Sequence, residues 1–265
     1  MNELELLDIA VQVAADAAVT AVRMRAEAIT QVGTKSTITD VVTAADRAVE
    51  QQVVAALAAR RPGDTVLGEE FGGPAVSAEG VRWVVDPIDG TVNYLYGLPQ
   101  YAVSIAAEVD GQVVAGVVHN AATGKVWTAA LGHGAWHEGR RLGGSNATDL
   151  AVSLVGTGFA YAKERRAHQA AVVARLLPQI RDIRRMGAAA LDLCAAAEGQ
   201  LDAYYEKGLA EWDLAAGGLI AREAGLLVTG LSGRPAGARM TLAAPEALHG
   251  VLHDVLVELD ADGGP

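Results

Sequence analysis

The stretch WVVDPIDGTVNY, Trp83 to Tyr94, joins an apolar run to a short polar segment. The run before Asp86 is apolar on both faces, which predicts a buried strand. Pro87 fixes its own φ angle and has no N–H, so it stiffens the step to Asp89. Gly90 permits a positive φ angle or a close approach of the backbone. The stretch therefore predicts two carboxylates held rigidly where a strand passes into a loop.

The chemistry of this stretch points to a metal and a phosphate. Asp86 and Asp89, with the Ile88 carbonyl between them, offer the hard oxygen ligands that Mg²⁺ prefers. Thr91 suits the start of a helix, and N–H groups at a helix start bind phosphate. The alternative is that Asp-Pro and Asp-Gly only form turns. This stretch alone leaves both interpretations open.

Three other segments carry acidic residues in comparable positions. Glu69 and Glu70 follow TVLG, which is a predicted short strand. Asp213 lies at the start of the predicted helix EWDLAAGGLIAREAG, where it could also be a simple cap. The segment TKSTITDVVTAAD offers Lys35 and Asp46. Together these segments favour one shared acidic site over four unrelated turns and caps.

The hydrophobic pattern divides the chain into two halves. Helical spacing predicts helices over residues 2–29 and 43–60, and three β-rich runs follow over residues 101–130. The first half therefore predicts paired helices against an antiparallel sheet. Strands and helices alternate in the second half, which is typical of an α/β arrangement. We expect a boundary near residues 143–146, giving an N-terminal α+β lobe (1–145) with most metal ligands and a C-terminal α/β lobe (146–265) that supplies Asp213 and the substrate wall.

The composition of the chain excludes several classes of protein. The 265 residues are 51% hydrophobic, which is enough for a sizeable core, and the net charge of −11 argues against a nucleic-acid surface. No targeting signal or apolar run long enough to span a membrane is expected. The single cysteine, Cys194, cannot form an internal disulfide and suits a reducing compartment, so we expect a cytoplasmic protein.

The motifs GEE, DPIDGTVNY and EWDLAAGGLIAREAG, preceded by TKSTITDVVTAAD, resemble the inositol monophosphatase family in order and spacing. This family belongs to the Mg²⁺-dependent, lithium-sensitive sugar phosphatases. The segments GLPQYAVSIA and RRMGAAALDLCAAAEGQLDAYYE are most similar to the bacterial inositol-1-monophosphatase branch. The resemblance implies a layered αβαβα sandwich of mixed α+β and α/β type, as in the inositol monophosphatase and fructose-1,6-bisphosphatase fold. It also implies a homodimer.

The resemblance further implies two or three Mg²⁺ ions per site. Glu69, Asp86 and the Ile88 carbonyl would bind the first ion. Asp86, Asp89 and Asp213 would bind the second. Direct attack by an activated water is the simpler expectation, because the sequence lacks a nucleophile-elbow motif.

The remaining roles also follow from the resemblance. Glu69 and Thr91 would orient and deprotonate the attacking water, and Asp46 would hydrogen-bond Thr91. Lys35 and Glu70 would be supporting charges near the metals. The substrate would be bound by Asp89, Gly90, Thr91, Gly187, Ala188, Ala189 and Glu206, with backbone N–H groups of Gly90 and Thr91 on the phosphate.

These expectations predict a hydrolase that acts on a sugar or cyclitol phosphate, with myo-inositol 1-phosphate as the favoured substrate. Glu206 favours inositol, whereas Ala188 replaces the Ser or Thr of many relatives and removes one polar contact to the sugar. Fructose-1,6-bisphosphatase, histidinol-phosphatase and 3′,5′-bisphosphate nucleotidase activities are alternatives. Rivals of another kind are a regulatory protein that has lost turnover and a glycoside hydrolase with paired carboxylates.

Overall fold

A computed structural model describes residues 2–31, 38–74 and 80–264. Lys35, predicted to be a supporting charge, lies outside these ranges. Across the described ranges, every helix is too short or too polar to cross a lipid bilayer.

The chain folds into five layers of alternating helices and sheets. Helices α1 (Glu3–Gln31) and α2 (Ile38–Arg60) cover one face of a seven-stranded sheet. Helices α5 (Ala189–Glu198) and α6 (Glu211–Glu223) separate this sheet from a five-stranded sheet. The outer layer contains α4 (Lys163–Leu176) and α7 (Glu246–Glu258). A hydrophobic cluster fills each of the four interfaces, which confirms the predicted αβαβα sandwich.

The seven-stranded sheet follows chain order, from β1 to β7. Its strands are Thr65–Gly68, Val81–Asp89, Ala102–Val109, Gln112–Asn120, Val126–Ala130, Gly134–His137 and Arg140–Arg141. Strands β2 to β7 are antiparallel as predicted, but β1 pairs with β2 in parallel. Gly68 lies opposite Val85 in this pairing, so the residues that follow, Glu69 and Asp86, meet at the same edge of the sheet.

Strand β2 does not end at Asp86, as the sequence suggested, but continues to Asp89. The register against β3 shifts between these two residues, where Pro87 cannot donate a ladder hydrogen bond. Gly90 follows with φ = 89°, and the short helix α3 (Thr91–Tyr96) begins at once. The irregular stretch therefore presents both carboxylates at the end of a fully buried strand.

The five-stranded sheet contains β8 (Leu154–Thr157), β9 (Asp182–Arg184), β10 (Ala203–Glu206), β11 (Leu227–Thr229) and β12 (Thr241–Ala244). Its order is β11-β12-β10-β8-β9, and β8 is parallel to both of its neighbours. The short, polar strand β9 was not predicted. The predicted boundary at 143–146 falls in the connection between β7 and β8. Helices α5 and α6 nevertheless pack on both sheets, so the division into two lobes stays a prediction.

Candidate active site

Three aspartates, two of them buried and Asp213 half-buried, meet where β2, α3 and α6 converge. Asp86, Asp89 and Asp213 each place a carboxylate oxygen within 4.8 Å of the other two. Asp86 is 2% exposed and Asp89 7% exposed. These are the three acids predicted for the second metal, although 127 positions (213 − 86) separate the first from the last.

The aspartates form the floor of a cavity of about 450 Å³. Among the predicted site residues, the cavity is lined by Glu69, Asp86, Ile88, Asp89, Gly90, Thr91, Gly187, Ala189, Glu206 and Asp213. Three predicted residues, Asp46, Glu70 and Ala188, do not line it. The folded chain thus brings most of the predicted residues into one pocket.

Burial raises the pKa of every acid in this cluster, and repulsion between carboxylates adds to it for Asp86, Asp89 and Glu69. Burial, then repulsion from Glu69, Asp89 and Asp213, raises the pKa of Asp86 well above its ordinary value. Burial followed by the charge of Asp213 does the same for the pKa of Asp89, and burial also raises the pKa of Asp213. For Glu69 the pKa rises to about 7, through burial and then the charges of Asp213 and Glu70.

This donor set fits a divalent cation. All ligand atoms of the cluster are carboxylate oxygens, which hard cations such as Mg²⁺ prefer. Among the described residues, no histidine or cysteine, the ligands typical of zinc, lines the cavity. A cation would also relieve the mutual repulsion that raises these pKa values.

Backbone N–H groups fix the direction of each aspartate. Asp89 accepts hydrogen bonds from Ala189 N at 3.2 Å and Ala190 N at 2.8 Å, at the start of α5. Asp213 accepts one from Ala210 N at 2.7 Å, so it does cap its own helix. Asp213 is therefore both a cap and part of the acidic cluster, and the two interpretations are compatible.

The position of Ala188 does not support the predicted contact with a sugar. Ala188 is 1% exposed, and a β-carbon built on Gly90 would lie 3.0 Å from the Ala188 methyl. Its side chain therefore packs against the backbone at Gly90 instead of lining the cavity. This segment serves mainly to present the two amide groups that hold Asp89.

The predicted hydrogen bond between Asp46 and Thr91 is not formed. Thr91 Oγ1 lies 3.3 Å from Ile88 O and donates to it, because both atoms belong to the same tight turn. Asp46 is 5% exposed, and its Oδ1 has no hydrogen-bond partner among the described residues. Burial, then the charge of Glu70, raises the pKa of Asp46 to about 8.

Glu50 is a positioning residue that sequence reasoning missed. Its carboxylate accepts hydrogen bonds from Glu70 N at 2.8 Å and Phe71 N at 3.1 Å, and a β-carbon on Gly68 would collide with it. Glu50 thus fixes the turn that carries Glu69. The sequence feature that could have identified Glu50 is its position one helical turn after Asp46 on α2.

Glu70, predicted to be a supporting charge near the metals, points away from the cavity. Its Oε2 accepts a hydrogen bond from Arg47 Nε at 3.3 Å, and this arginine is largely exposed. Glu70 therefore acts on the site through its backbone N–H, which Glu50 holds, and through its charge, which helps to raise the pKa of Glu69 and Asp46.

Glu206 lies on the wall of the cavity, where the resemblance predicted a substrate contact. Its Oε2 accepts a hydrogen bond from Tyr204 Oη at 2.6 Å, and burial raises its pKa to about 7. A β-carbon on Gly158 would overlap the carboxylate, so glycine is needed there to leave room for it.

The rim of the cavity is aromatic and basic, which the sequence analysis did not predict. It is lined by Phe159, Tyr161, Arg165, Arg185, Lys207 and Trp212. Arg165 belongs to the basic segment KERR at the start of α4. No local pattern identifies these residues, because they come from separate loops and helix ends.

Comparison with known proteins agrees with this geometry. The model of the inositol monophosphatase family matches residues 2–260. Inositol-1-monophosphatase of Mycobacterium leprae is 54% identical over 202 residues, covering 73% of this chain and 69% of that protein. A solved structure of Mycobacterium tuberculosis SuhB superimposes with a TM-score of 0.86 at 41% identity, covering 99% of both chains.

A third relative carries a different name. A Pasteurella multocida protein called Nus factor SuhB is 38% identical over 220 residues, covering 82% of each chain. Family match, identity and the shared five-layer fold agree, and the chain therefore belongs to the inositol monophosphatase family of metal-dependent phosphatases.

Proposed function

We propose that this protein is a Mg²⁺-dependent phosphate monoester hydrolase whose preferred substrate is myo-inositol 1-phosphate. The observation that carries the proposal is the cluster of Asp86, Asp89 and Asp213 at the floor of a cavity whose wall holds Glu206. The cavity has room for a cyclitol ring between the two. The name of the Mycobacterium leprae relative, inositol-1-monophosphatase, supports the same substrate.

The metal would be held by the acids of the cluster. Asp86, Asp89 and Asp213 would form one set of ligands, and Glu69 with Asp86 and the Ile88 carbonyl would form the other. Bound Mg²⁺ would neutralise the phosphate dianion and lower the pKa of water.

The residues of the chain would supply positioning and proton transfer. Glu69 is a carboxylate that lines the cavity beside the proposed metals, so it can accept a proton from a metal-activated water, which is what a general base needs. The Thr91 hydroxyl already donates to Ile88 O and lies at the cavity surface, so it can orient an attacking water. Gly90 brings the backbone close to the phosphate position.

Direct attack by water remains the favoured mechanism for this geometry. Cys194 is 0% exposed and lies outside the cavity lining, so the only thiol of the chain is out of reach of a substrate. A substrate chiral at phosphorus should therefore give product phosphate of inverted configuration, whereas two displacements through a phosphorylated enzyme would retain it. Isolation of a phosphorylated enzyme would contradict direct attack.

The experiment that tests the function is phosphate release from a substrate panel with Mg²⁺ and with EDTA. We expect the highest kcat/KM for myo-inositol 1-phosphate, loss of activity in EDTA and recovery with Mg²⁺. The panel includes histidinol phosphate and 3′,5′-bisphosphate nucleotides. A clear preference for one of these would overturn the substrate, and activity that persists in EDTA would overturn the metal dependence.

Three further expectations from the resemblance belong to the same proposal. We infer that the protein is a homodimer in the cytoplasm and that lithium inhibits it. Light scattering on the purified protein measures the oligomeric state, and phosphate release in LiCl measures the inhibition. The Nus factor name of one relative gives a separate role to test: a variant without phosphatase activity that still supports transcription would separate that role from catalysis.

A further inference from the structure

Arg82 joins the seven-stranded sheet to the start of α6. It lies on β2, is 5% exposed and forms a bidentate ion pair with Glu108 on β3. Nε lies 3.0 Å from Glu108 Oε1, and Nη2 lies 2.7 Å from Glu108 Oε2. Arg82 Nη2 also donates to Glu211 Oε2 at 2.8 Å. Because Glu211 is the first residue of α6, one buried guanidinium links two strands and a helix.

Arg82 and Asp86 lie on the same face of β2. Side chains of a strand alternate between its two faces, so residues 82, 84 and 86 point in one direction. Val84, between the two, belongs to the hydrophobic cluster that also contains Ala216 and Leu219 of α6. The strand therefore directs both the arginine and the first acid of the cluster towards the same helix.

Asp213 needs a support of this kind. The hydrogen bond that it accepts from Ala210 N, at 2.7 Å, lies within the start of its own helix. This bond sets the direction of the carboxylate relative to α6, but not the position of α6 relative to β2. Glu211 is two residues before Asp213 in the same first turn. The bond from Arg82 to Glu211 therefore holds the segment that carries this acid against the sheet.

The contact of Arg82 is stronger than another polar contact between the sheet and this turn. Ser104 Oγ on β3 donates to Trp212 O at 3.4 Å, and neither group is charged. The bond from Arg82 is shorter and joins two charged groups, and charge-assisted hydrogen bonds are roughly twice as strong as neutral ones. The pair with Glu108 also keeps the guanidinium in one orientation. Arg82 is thus the better placed of the two to fix the start of α6.

A metal site depends on residues behind the ligands, because they keep the ligands at the spacing that the cation requires. Two acids of the cluster come from β2 and one from α6, so a shift of the helix start would change the distance between Asp86 and Asp213. We propose that Arg82 is a positioning residue that fixes this distance through Glu211, and so sets the affinity of the site for a divalent cation. This inference rests on the proposed function, because it takes Asp86, Asp89 and Asp213 as metal ligands.

The test measures the Kd for Mg²⁺ by titration calorimetry on the full chain, without substrate. Arg82→Gln removes both ion pairs. Glu211→Asp keeps the charge but shortens the side chain, so the bond from Arg82 is lost while the pair with Glu108 stays. Arg140→Gln is the matched control. Arg140 Nη2 lies 2.6 Å from Glu198 Oε1, and this pair links the same sheet to the last residue of α5.

We expect the Kd for Mg²⁺ to rise about 10-fold in Arg82→Gln and about fivefold in Glu211→Asp, as changes behind a metal ligand do. Arg140→Gln should leave it within about twofold. Charge alone predicts the opposite sign for Arg82→Gln, because removal of a nearby cation would strengthen the binding of Mg²⁺. An unchanged or lower Kd in Arg82→Gln would therefore overturn the proposal.

Loss of folding gives a different result from loss of position. Misfolded chains would lower the number of Mg²⁺ sites per chain and leave the Kd of the remaining chains unchanged. If Arg82→Gln does not fold, Glu211→Asp decides the question, since the Glu211 side chain is 58% exposed and surface changes are usually tolerated. An unchanged Kd in Glu211→Asp would contradict the role of Arg82.

Failure of the proposed function appears in the wild-type protein instead. A wild-type chain that binds Mg²⁺ but hydrolyses no phosphate ester would contradict the proposed function, and the Kd values of the variants would still decide the role of Arg82. A wild-type chain that binds no Mg²⁺ would overturn both proposals.

Discussion

The floor and the rim of the cavity are built in opposite ways. On the floor, Asp86 and Asp89 are almost fully buried, and backbone N–H groups hold their carboxylates. On the rim, Tyr161 is 78% exposed and Arg185 reaches into the cavity from a loop with no hydrogen bond to other described residues. The floor is therefore fixed by main-chain geometry, whereas the rim depends on side chains that can be exchanged.

This difference suggests that the floor carries out the reaction and that the rim selects the substrate. Acids that bind a cation must keep their spacing, and hydrogen bonds from α5 and from the start of α6 provide that rigidity. Residues that recognise a leaving group can vary without disturbing the acids. We therefore expect substitutions on the floor to lower kcat strongly, and substitutions on the rim to alter KM and substrate choice.

The strongest test of the floor is Asp89→Asn. This substitution removes one negative charge from the cluster and turns an N–H₂ group towards the N–H of Ala189 or Ala190. We expect kcat to fall about 1,000-fold, because several kcal/mol of charge stabilisation are lost. Phosphate release at saturating Mg²⁺ measures it, with circular dichroism as the control for folding. A rate within threefold of wild type would remove Asp89 from the site.

The second test extends the floor to Glu50, which touches no part of the cavity. Glu50→Ala frees the amides of Glu70 and Phe71 and loosens the turn that carries Glu69. We expect kcat to fall roughly 10- to 100-fold, as displacement of a positioned group does. Glu50→Gln keeps one acceptor oxygen and should recover part of the rate. A lower Tm with an unchanged kcat would show that Glu50 is merely structural.

The third test uses pH to detect the raised pKa values of the buried carboxyl groups at and beside the floor. In the unfolded chain the carboxyl groups titrate near pH 4, whereas the pKa is about 7 for Glu69 and about 8 for Asp46 in the fold. The folded protein therefore binds more protons over this interval, and its free energy of unfolding falls as pH rises from about 4 to about 8. Without metal, we expect Tm to be about 5 °C lower at pH 8 than at pH 5.5.

Calorimetry in EDTA at both pH values measures this difference. Mg²⁺ should restore Tm at pH 8 and have less effect at pH 5.5, where protons compete for the carboxylates. A Tm in EDTA that rises with pH would contradict the raised pKa values. Asp46→Asn is the control, because it removes a titrating group that is not a predicted ligand.

The smallest effect is expected on the rim, at Tyr161. Since its side chain is 78% exposed, Tyr161→Ala should change the free energy of unfolding by less than about 0.5 kcal/mol. KM for myo-inositol 1-phosphate should rise no more than about threefold, with kcat almost unchanged. A large fall in kcat would mean that rim and floor are coupled, and the contrast between them would not hold.

The same contrast explains what the sequence could predict. Asp86, Pro87, Asp89 and Gly90 form a local pattern whose chemistry can be recognised from the residues. The alternating elements predict an α/β arrangement for the second half, whereas the five layers were implied by the resemblance. The partners of Asp89 could not be predicted, because the amides of Ala189 and Ala190 carry no side-chain signal and lie about 100 residues away.

Two other residues lie differently from what the resemblance implies, for similar reasons. The resemblance assigned Ala188 to the sugar, but the start of α5 turns its methyl towards Gly90. It paired Asp46 with Thr91, but the hydroxyl finds the nearer carbonyl of Ile88. Long-range placement of single side chains, as for Arg185, depends on how the two sheets pack and leaves no periodic trace in the sequence.

The single thiol of the chain can report on opening of the helical layer, α5 and α6, between the two sheets. Cys194 lies in α5, the helix whose first amides hold Asp89, and it is fully buried with its pKa raised by burial. A thiol reagent can reach it only when α5 separates from its neighbours, because the reactive thiolate forms on exposure to water. The alkylation rate of the wild-type protein would thus measure how often α5, the helix whose first amides hold Asp89, separates from its neighbours. A bound cation should lower this rate.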